Sequence, residues 1–392
     1  MGSLDAALSK VPGRVVARRG DALTVEFEPD ALPRPGAWLA SPRGTWAEVA
    51  HKQNQSEVLA WVRAGSAPSE GEVLRELTRD EPGCLGLAVD VWSTSGPQWP
   101  RWGVPSELAS LLSPPAQAQL PFAPPSTLWA TGHAGLDLLV PLAWGGSLAL
   151  TGDDAQGLGR VASKVLRGLC ASAPCPTPPQ VLVLAASGAR PWWELALVGS
   201  PAALALLQPP PDAGPGALAL AWRALWTVAR QASERGAPLL VVLDDPSPFV
   251  AAWRATDGQA RSSRAAAQYE ALVCALPSPH GAGCTLLALH PEDPTAPPLP
   301  GAGGWLPTGS FWGEARFGGD RLEPENSATS LSLPDDHARQ RDAALLALSG
   351  REPLEHHAAI FGADELDDDL AQDWRDHAAR SAQLCELGED PL

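Results

Sequence analysis

The chain has 392 residues, 45% of them apolar, which is more than one ordinary core needs and implies two or three domains. Its net charge of −17 argues against nucleic acid or an anionic membrane surface as the main partner, and no apolar run reaches the roughly 18 residues needed to span a bilayer. Six cysteines (84, 170, 175, 274, 284 and 385) lack the spacing of a zinc or redox site, and the opening MGSLDAALSK has neither an apolar leader nor an Arg-rich amphipathic start, so a cytoplasmic protein without direct membrane insertion is expected.

In chain order, the stretch 13–65 predicts short strands. Val15, Leu23, Val25 and Phe27 are spaced among polar neighbours, and Gly13, Gly20 and the Pro33–Gly36 cluster punctuate the runs. A second set spans 48–62 around the polar turn QNQ, and closely spaced strands of this kind predict a small barrel. Proline-rich stretches at 93–106 and 114–126 predict extended connections. The pattern then changes to strand–turn–helix units. SLALTG (147–152) predicts a strand entering a turn, followed by a helix from about 158 to 170. QVLVLAASG (180–188) predicts a second buried strand, 215–235 a helix, and APLLVVLDD (237–245) a third strand ending in two aspartates. Continuous apolar strands alternating with helices indicate a parallel sheet covered on both faces. From about 337 onward the pattern is mostly helical. Residues 352–392 hold twelve Asp or Glu against Arg375 and Arg380, a balance that suits either a basic partner or a solvated face.

Five segments resemble, in order, the beta subunit of F-type ATP synthases. They are GRVVARRGDALTVEFEPDALPR (13–34), EVAHKQNQSEVLAWV (48–62), TGHAGLDLLVPLAWGGSLALTG (131–152), PPPDAGPGALALAWRALWTVA (209–229) and LEHHAAIFGADELDDDL (354–370). The resemblance implies an α/β chain in three parts: an N-terminal six-stranded-type β-barrel over 1–82, a RecA-like parallel-sheet nucleotide domain over 83–335, and a C-terminal helical domain over 336–392. It also implies alpha-like and gamma-like rotary-ATPase subunits as partners. The acidic loop Asp364, Glu365, Leu366, Asp367, Asp368 and Asp369 matches the family segment that touches the central stalk.

The chemistry implied by the family is depleted. A phosphate-binding loop needs glycines for close backbone approach, a Lys for the phosphate charge and a hydroxyl for magnesium. Here Gly152 and Gly157 remain, Leu158 stands at the Lys position and Gly159 at the Thr position. Asp153 and Asp154 stand where the polyphosphate would lie, a repulsion on the order of a few kcal/mol at an intermediate effective dielectric. Ala189 falls at the position of the catalytic Glu, and Gly319 at that of the Tyr that stacks on adenine. Asp244 matches the strand-end acid that steers magnesium, and it reads equally as a cap, as does Asp245. Trp192 and Trp193 fall near the nucleotide-facing loop, where they either fill an emptied pocket or pack in the core.

The expectation is therefore a non-catalytic beta-like subunit with no catalytic residue and no cofactor. Three alternatives remain: an assembly factor that mimics beta, a relative of export ATPases, and an ATPase with a remodelled site. In the last, Arg160 or Arg190 would replace the Lys, Asp244 would hold magnesium, and Mg-ATP or Mg-ADP would bind.

Overall fold

In a computed structural model of the chain, the described residues are 8–64, 68–77, 127–173, 179–185, 192–196, 203–207, 213–222, 239–257, 284–291, 312–329, 333–349 and 368–386, with a few single positions between them. The proline-rich stretches at 93–106 and 114–126 lie outside them.

The first six strands are β1 (Leu8–Arg19), β2 (Ala22–Glu26), β3 (Trp38–Ala40), β4 (Trp46–Lys52), β5 (Glu57–Ala64) and β6 (Val73–Leu77). They close into an antiparallel barrel in the order β1-β2-β5-β4-β3-β6, with β6 returning to β1. Val15, Leu23, Val25 and Phe27 are all buried in its centre together with Leu39, Val49, Val58 and Leu74. Inward apolar and outward polar positions alternate because successive strand side chains point to opposite faces. The QNQ turn between β4 and β5 is held by Asn54, whose side-chain oxygen accepts from the N–H groups of Ser56 and Glu57 at 2.9 and 2.8 Å.

After a short ribbon, β7 (Leu128–Trp129) with β8 (Leu142–Ala143), the chain builds a mixed sheet. Its strands are β9 (Ser147–Gly152), β10 (Gln180–Ala185), β11 (Ala203–Leu207), β12 (Leu239–Asp244), β13 (Cys284–Pro291), β14 (Trp312–Gly318) and β15 (Arg321–Thr329). Their order is β11-β10-β12-β13-β9-β14-β15. All neighbours run parallel except β15, which forms an antiparallel hairpin with β14. In β10 and β12 Val181 to Ala185 and Leu239 to Leu243 are buried without a break. That pattern belongs to strands covered on both faces.

The helices are α1 (Ala134–Leu139), α2 (Ala155–Ala171), α3 (Trp192–Ala196), α4 (Ser247–Asp257), α5 (Asp335–Ser349) and α6 (Asp368–Cys385), with a further helical stretch at 215–222. Buried positions on α2 recur at helical spacing, Leu158, Val161, Ala162, Val165, Leu166 and Leu169. They join β9, β10, β12 and β13 in one core. The ring of His133 caps α1 by accepting from the Leu136 N–H through Nδ1 at 3.4 Å. Burial, reinforced by Lys164, lowers its pKa to about 4, so the imidazole is neutral and able to accept. Asp137 reaches back from the first turn and accepts from the Thr131 N–H at 2.6 Å, tying the segment before the cap to the helix. None of the described helices is long and apolar enough to cross a membrane.

The structure departs from the sequence expectation at several points. Helix α2 begins at Ala155, three residues before the predicted start, because a capping carboxylate initiates it there. The expected helix 215–235 is described only over 215–222 and at 225. Strands β11, β13, β14 and β15 extend the sheet beyond the three strands expected. Residues 337 onward are helical where described.

Two glycines of α2 separate close packing from open space. A Cβ at Gly168 would lie 1.9 Å from the Thr131 carbonyl oxygen, whereas one at Gly159 would meet nothing nearer than Trp192 Cδ1 at 3.9 Å. Gly168→Ala is expected to cost about 1–3 kcal/mol through overpacking, and Gly159→Ala to gain about 0.5–1 kcal/mol through lower unfolded-state entropy. Urea unfolding of both variants checks the contrast; equal effects would contradict the close approach of α2 to the Thr131 segment.

Candidate functional site

In open α/β sheets ligand sites form beyond the carboxyl ends of the parallel strands. Strand register brings the candidate residues to that edge. Asp244 stands beside Ala185 at the end of β10, Gly152 beside Pro291 on one side and Phe317 on the other. The sheet therefore lines up the end of the loop-bearing strand β9 with the strand-end acid, separated by β13.

Only Asp153 and Asp154 separate β9 from α2. Asp154 is the N-cap of α2. Its carboxylate accepts from the N–H groups of Gln156 at 2.9 Å and Gly157 at 3.0 Å. These are the unpaired donors that a helix start would offer an incoming anion. The chain thus supplies the anion itself. Leu158, at the expected Lys position, points into the core and is 1% exposed. Burying such a side chain contributes about 1.5–3 kcal/mol.

The remaining glycines of this segment face the β14–β15 hairpin. A Cβ at Gly152 would lie 2.8 Å from the Phe317 carbonyl oxygen, and one at Gly157 only 2.4 Å from that of Gly319. The hairpin turns through Gly319 and Asp320, with Gly319 at φ 69°, the left-handed conformation suited to glycine in a two-residue turn. Gly319 N–H donates to Asp153 Oδ1 at 3.3 Å, and Arg160 Nη2 pairs with Asp320 Oδ2 at 3.1 Å. Gly319, placed by the sequence at an adenine-stacking position, thus sits on the start of α2. The guanidinium of Arg160 is engaged by the hairpin on the protein surface, where such a pair contributes at most about 1 kcal/mol.

Trp192 lies between α2 and the end of β12. Its ring approaches Gly159 and its indole stands beside Asp244. Trp193 packs edge-on against it at 5.6 Å and is 1% exposed, within the core. Trp193 belongs to the core, and Trp192, partly buried, packs against the same core while its ring faces Gly159. Burial raises the pKa of Asp244 to about 6. The Trp192 indole opposes this shift without meeting the geometry of a formed hydrogen bond, and the neighbouring Asp245 charge adds to it. Capping falls to Asp245 instead. It adopts φ 49° and accepts from the Ser247 N–H at 3.1 Å, at the start of α4.

Ala189, with Gly188 and Arg190, lies outside the described residues. So do Asp364, Glu365, Leu366 and Asp367, while Asp368 and Asp369 open α6. Among the described residues, no group of three or more His, Cys, Asp or Glu is placed to hold a metal ion. The hairpin over α2 was missed from sequence, although Gly319–Asp320 is a recognised two-residue turn signal. Approach of Trp192 to Gly159 had no local signal. No protein-family model matches the chain, and no match emerges among curated proteins.

Two outcomes follow for this edge. Asp154→Ala should cost about 1 kcal/mol, the usual loss of an N-cap, in denaturant unfolding; an unchanged midpoint would mean that another group holds the helix start. For Asp244 the folded state binds its proton more tightly than the unfolded state. Stability is therefore lost as pH rises from 3.8 towards about 6. Asp244→Asn should melt above the wild type at neutral pH, with the difference closing in acid below the ordinary carboxylate range. A variant that melts lower at neutral pH would show the carboxylate to be favourably engaged.

Proposed function

We propose that the chain is a non-catalytic subunit on the plan of the rotary F-type ATPase beta subunit, acting through contacts with alpha-like and central-stalk (gamma-like) subunits. The observation that carries this reading is the self-filled start of α2. Asp154 takes the backbone donors, Leu158 is committed to the core, and Trp192 occupies the space towards Asp244. A triphosphate brought to this turn would meet a carboxylate at the helix start and no lysine from position 158. The RecA-like reading of the sheet is supported by the central place of β9 and the alignment of its end with Asp244 at one edge. The arrangement of barrel, sheet and trailing helices follows the order that the resemblance implies.

Retention of such a scaffold without its nucleotide chemistry favours a role carried by surfaces. The acidic segment leading into α6 is the surface we assign to the central-stalk-like partner. A remodelled ATPase would instead require a cation at the helix start. The guanidinium of Arg160 does not provide it, being bound to Asp320.

Titration calorimetry of the full chain with Mg-ATP and Mg-ADP is expected to give no heat up to millimolar nucleotide, and affinity purification is expected to recover an alpha-like chain. Micromolar binding lost in Asp244→Ala would establish the remodelled site. Recovery of a monomer without such a partner would overturn the subunit reading. Stoichiometry in the recovered complex separates a permanent subunit from an assembly factor.

A further inference from the structure

The base of the barrel carries a buried polar joint to the segment that starts the helical stretch 215–222. Arg63, on β5, is 2% exposed and Glu48, on β4, 6%. Arg63 Nε and Nη2 both reach Glu48 Oε2 at 2.7 Å, and Nη1 donates to the Gly216 carbonyl at 3.0 Å. From the other side Asp21, in the β1–β2 turn, accepts from the Gly216 N–H at 3.4 Å. Both backbone polar groups of Gly216 are thus taken by barrel side chains.

The approach depends on glycine. A Cβ at Gly216 would stand 1.9 Å from the Val62 carbonyl oxygen, and one at Gly214 only 1.7 Å from the Asp21 carboxylate. Neither glycine has a positive φ among the described residues, so the requirement is space. Pro215 between them fixes the backbone at the first helical position, where its missing N–H is no loss.

An exposed hinge would pair its polar groups with water and leave room for side chains; this segment does neither. Glu48 and Arg63 form a buried ion pair, and removing one partner of such a pair is costly. Beyond the joint, Trp222 at the end of the described helical stretch stacks on Phe249 of α4, with ring centres 6.4 Å apart and both residues fully buried. The barrel is therefore continuous through packed groups with the helix that Asp245 caps at the end of β12.

We propose that Gly214–Pro215–Gly216, clamped by Arg63, Glu48 and Asp21, is a rigid joint that makes the barrel and the sheet one cooperative folding unit, with Arg63 as its positioning residue. This inference does not rest on the assignment of the chain to a rotary machine.

The test is differential scanning calorimetry of the full chain, with hydrogen exchange to assign each transition, on wild type, Gly216→Ala and Arg63→Met. Gly216→Ala leaves the Glu48–Arg63 pair within the barrel and removes only the seating of the segment. The wild type is expected to melt in one transition. Both variants are expected to melt in two, the barrel strands and the 215–222 stretch exchanging independently, with the first transition lower by at least about 5 °C. A single transition merely displaced in temperature in Gly216→Ala would reduce the contact to ordinary packing and overturn the joint, as would two transitions in the wild type. If Arg63→Met fails to fold, Gly216→Ala alone decides.

Discussion

The carboxylate of Asp154 holds the N–H groups of Gln156 and Gly157, and much of the rest of the sheet edge follows from that one contact. By fixing the first turn of α2 at Ala155 it sets the helix phase, and the phase turns Leu158 inwards to the core shared by β9, β10 and β12. The β14–β15 hairpin lies against Gly152 and Gly157 on one side of this helix start, and Trp192 stands by Gly159 on the other. A helix start that has its own anion is also satisfied electrostatically, since a negative charge there complements the helix dipole.

The positions that the beta-subunit resemblance would give to nucleotide chemistry have structural uses where they are described: Asp154 as cap, Leu158 as core, Gly157 as a point of close approach to the hairpin, and Gly319 as its turn. Asp244 is the exception. It remains at the strand end with a carboxyl held mostly protonated in acid by its burial, and the adjoining cap is made by Asp245. Burial opposes its charge, so ionisation of Asp244 at neutral pH lowers stability.

Legibility of the sequence varied with how local the physics was. The barrel was readable because Val15, Leu23, Val25 and Phe27 declare their faces within a few residues and turn residues separate the runs. Strands β9, β10 and β12 were readable as unbroken apolar runs with distinct ends. Strands β11 (ALALL) and β13 (CTLLALHP) have similar composition, yet short apolar runs cannot be told from buried helix by period alone. The identities at residues 152–159 set the expectation for that segment, but the helix start could not be read from them, because Asp153 and Asp154 are equally good caps in sequence and only the fold selects the second. Contacts of Gly157 with Gly319, of Trp192 with Gly159 and of Arg63 with Gly216 join residues far apart along the chain. No window of sequence contains them.

Strand β15 forms one margin of the sheet among the described strands, and its sequence RLEPENSAT has a consequence for how other chains can approach. A margin strand offers a row of backbone groups on which a foreign strand can template itself. Pro324 lacks the donor that such a ladder needs, and Arg321, Glu323 and Glu325 place charge on both sides of it. The barrel, being closed, has no margin of this kind. A foreign strand docking on this margin would find its ladder interrupted at Pro324 with charge on either side, which disfavours extension of the sheet from here.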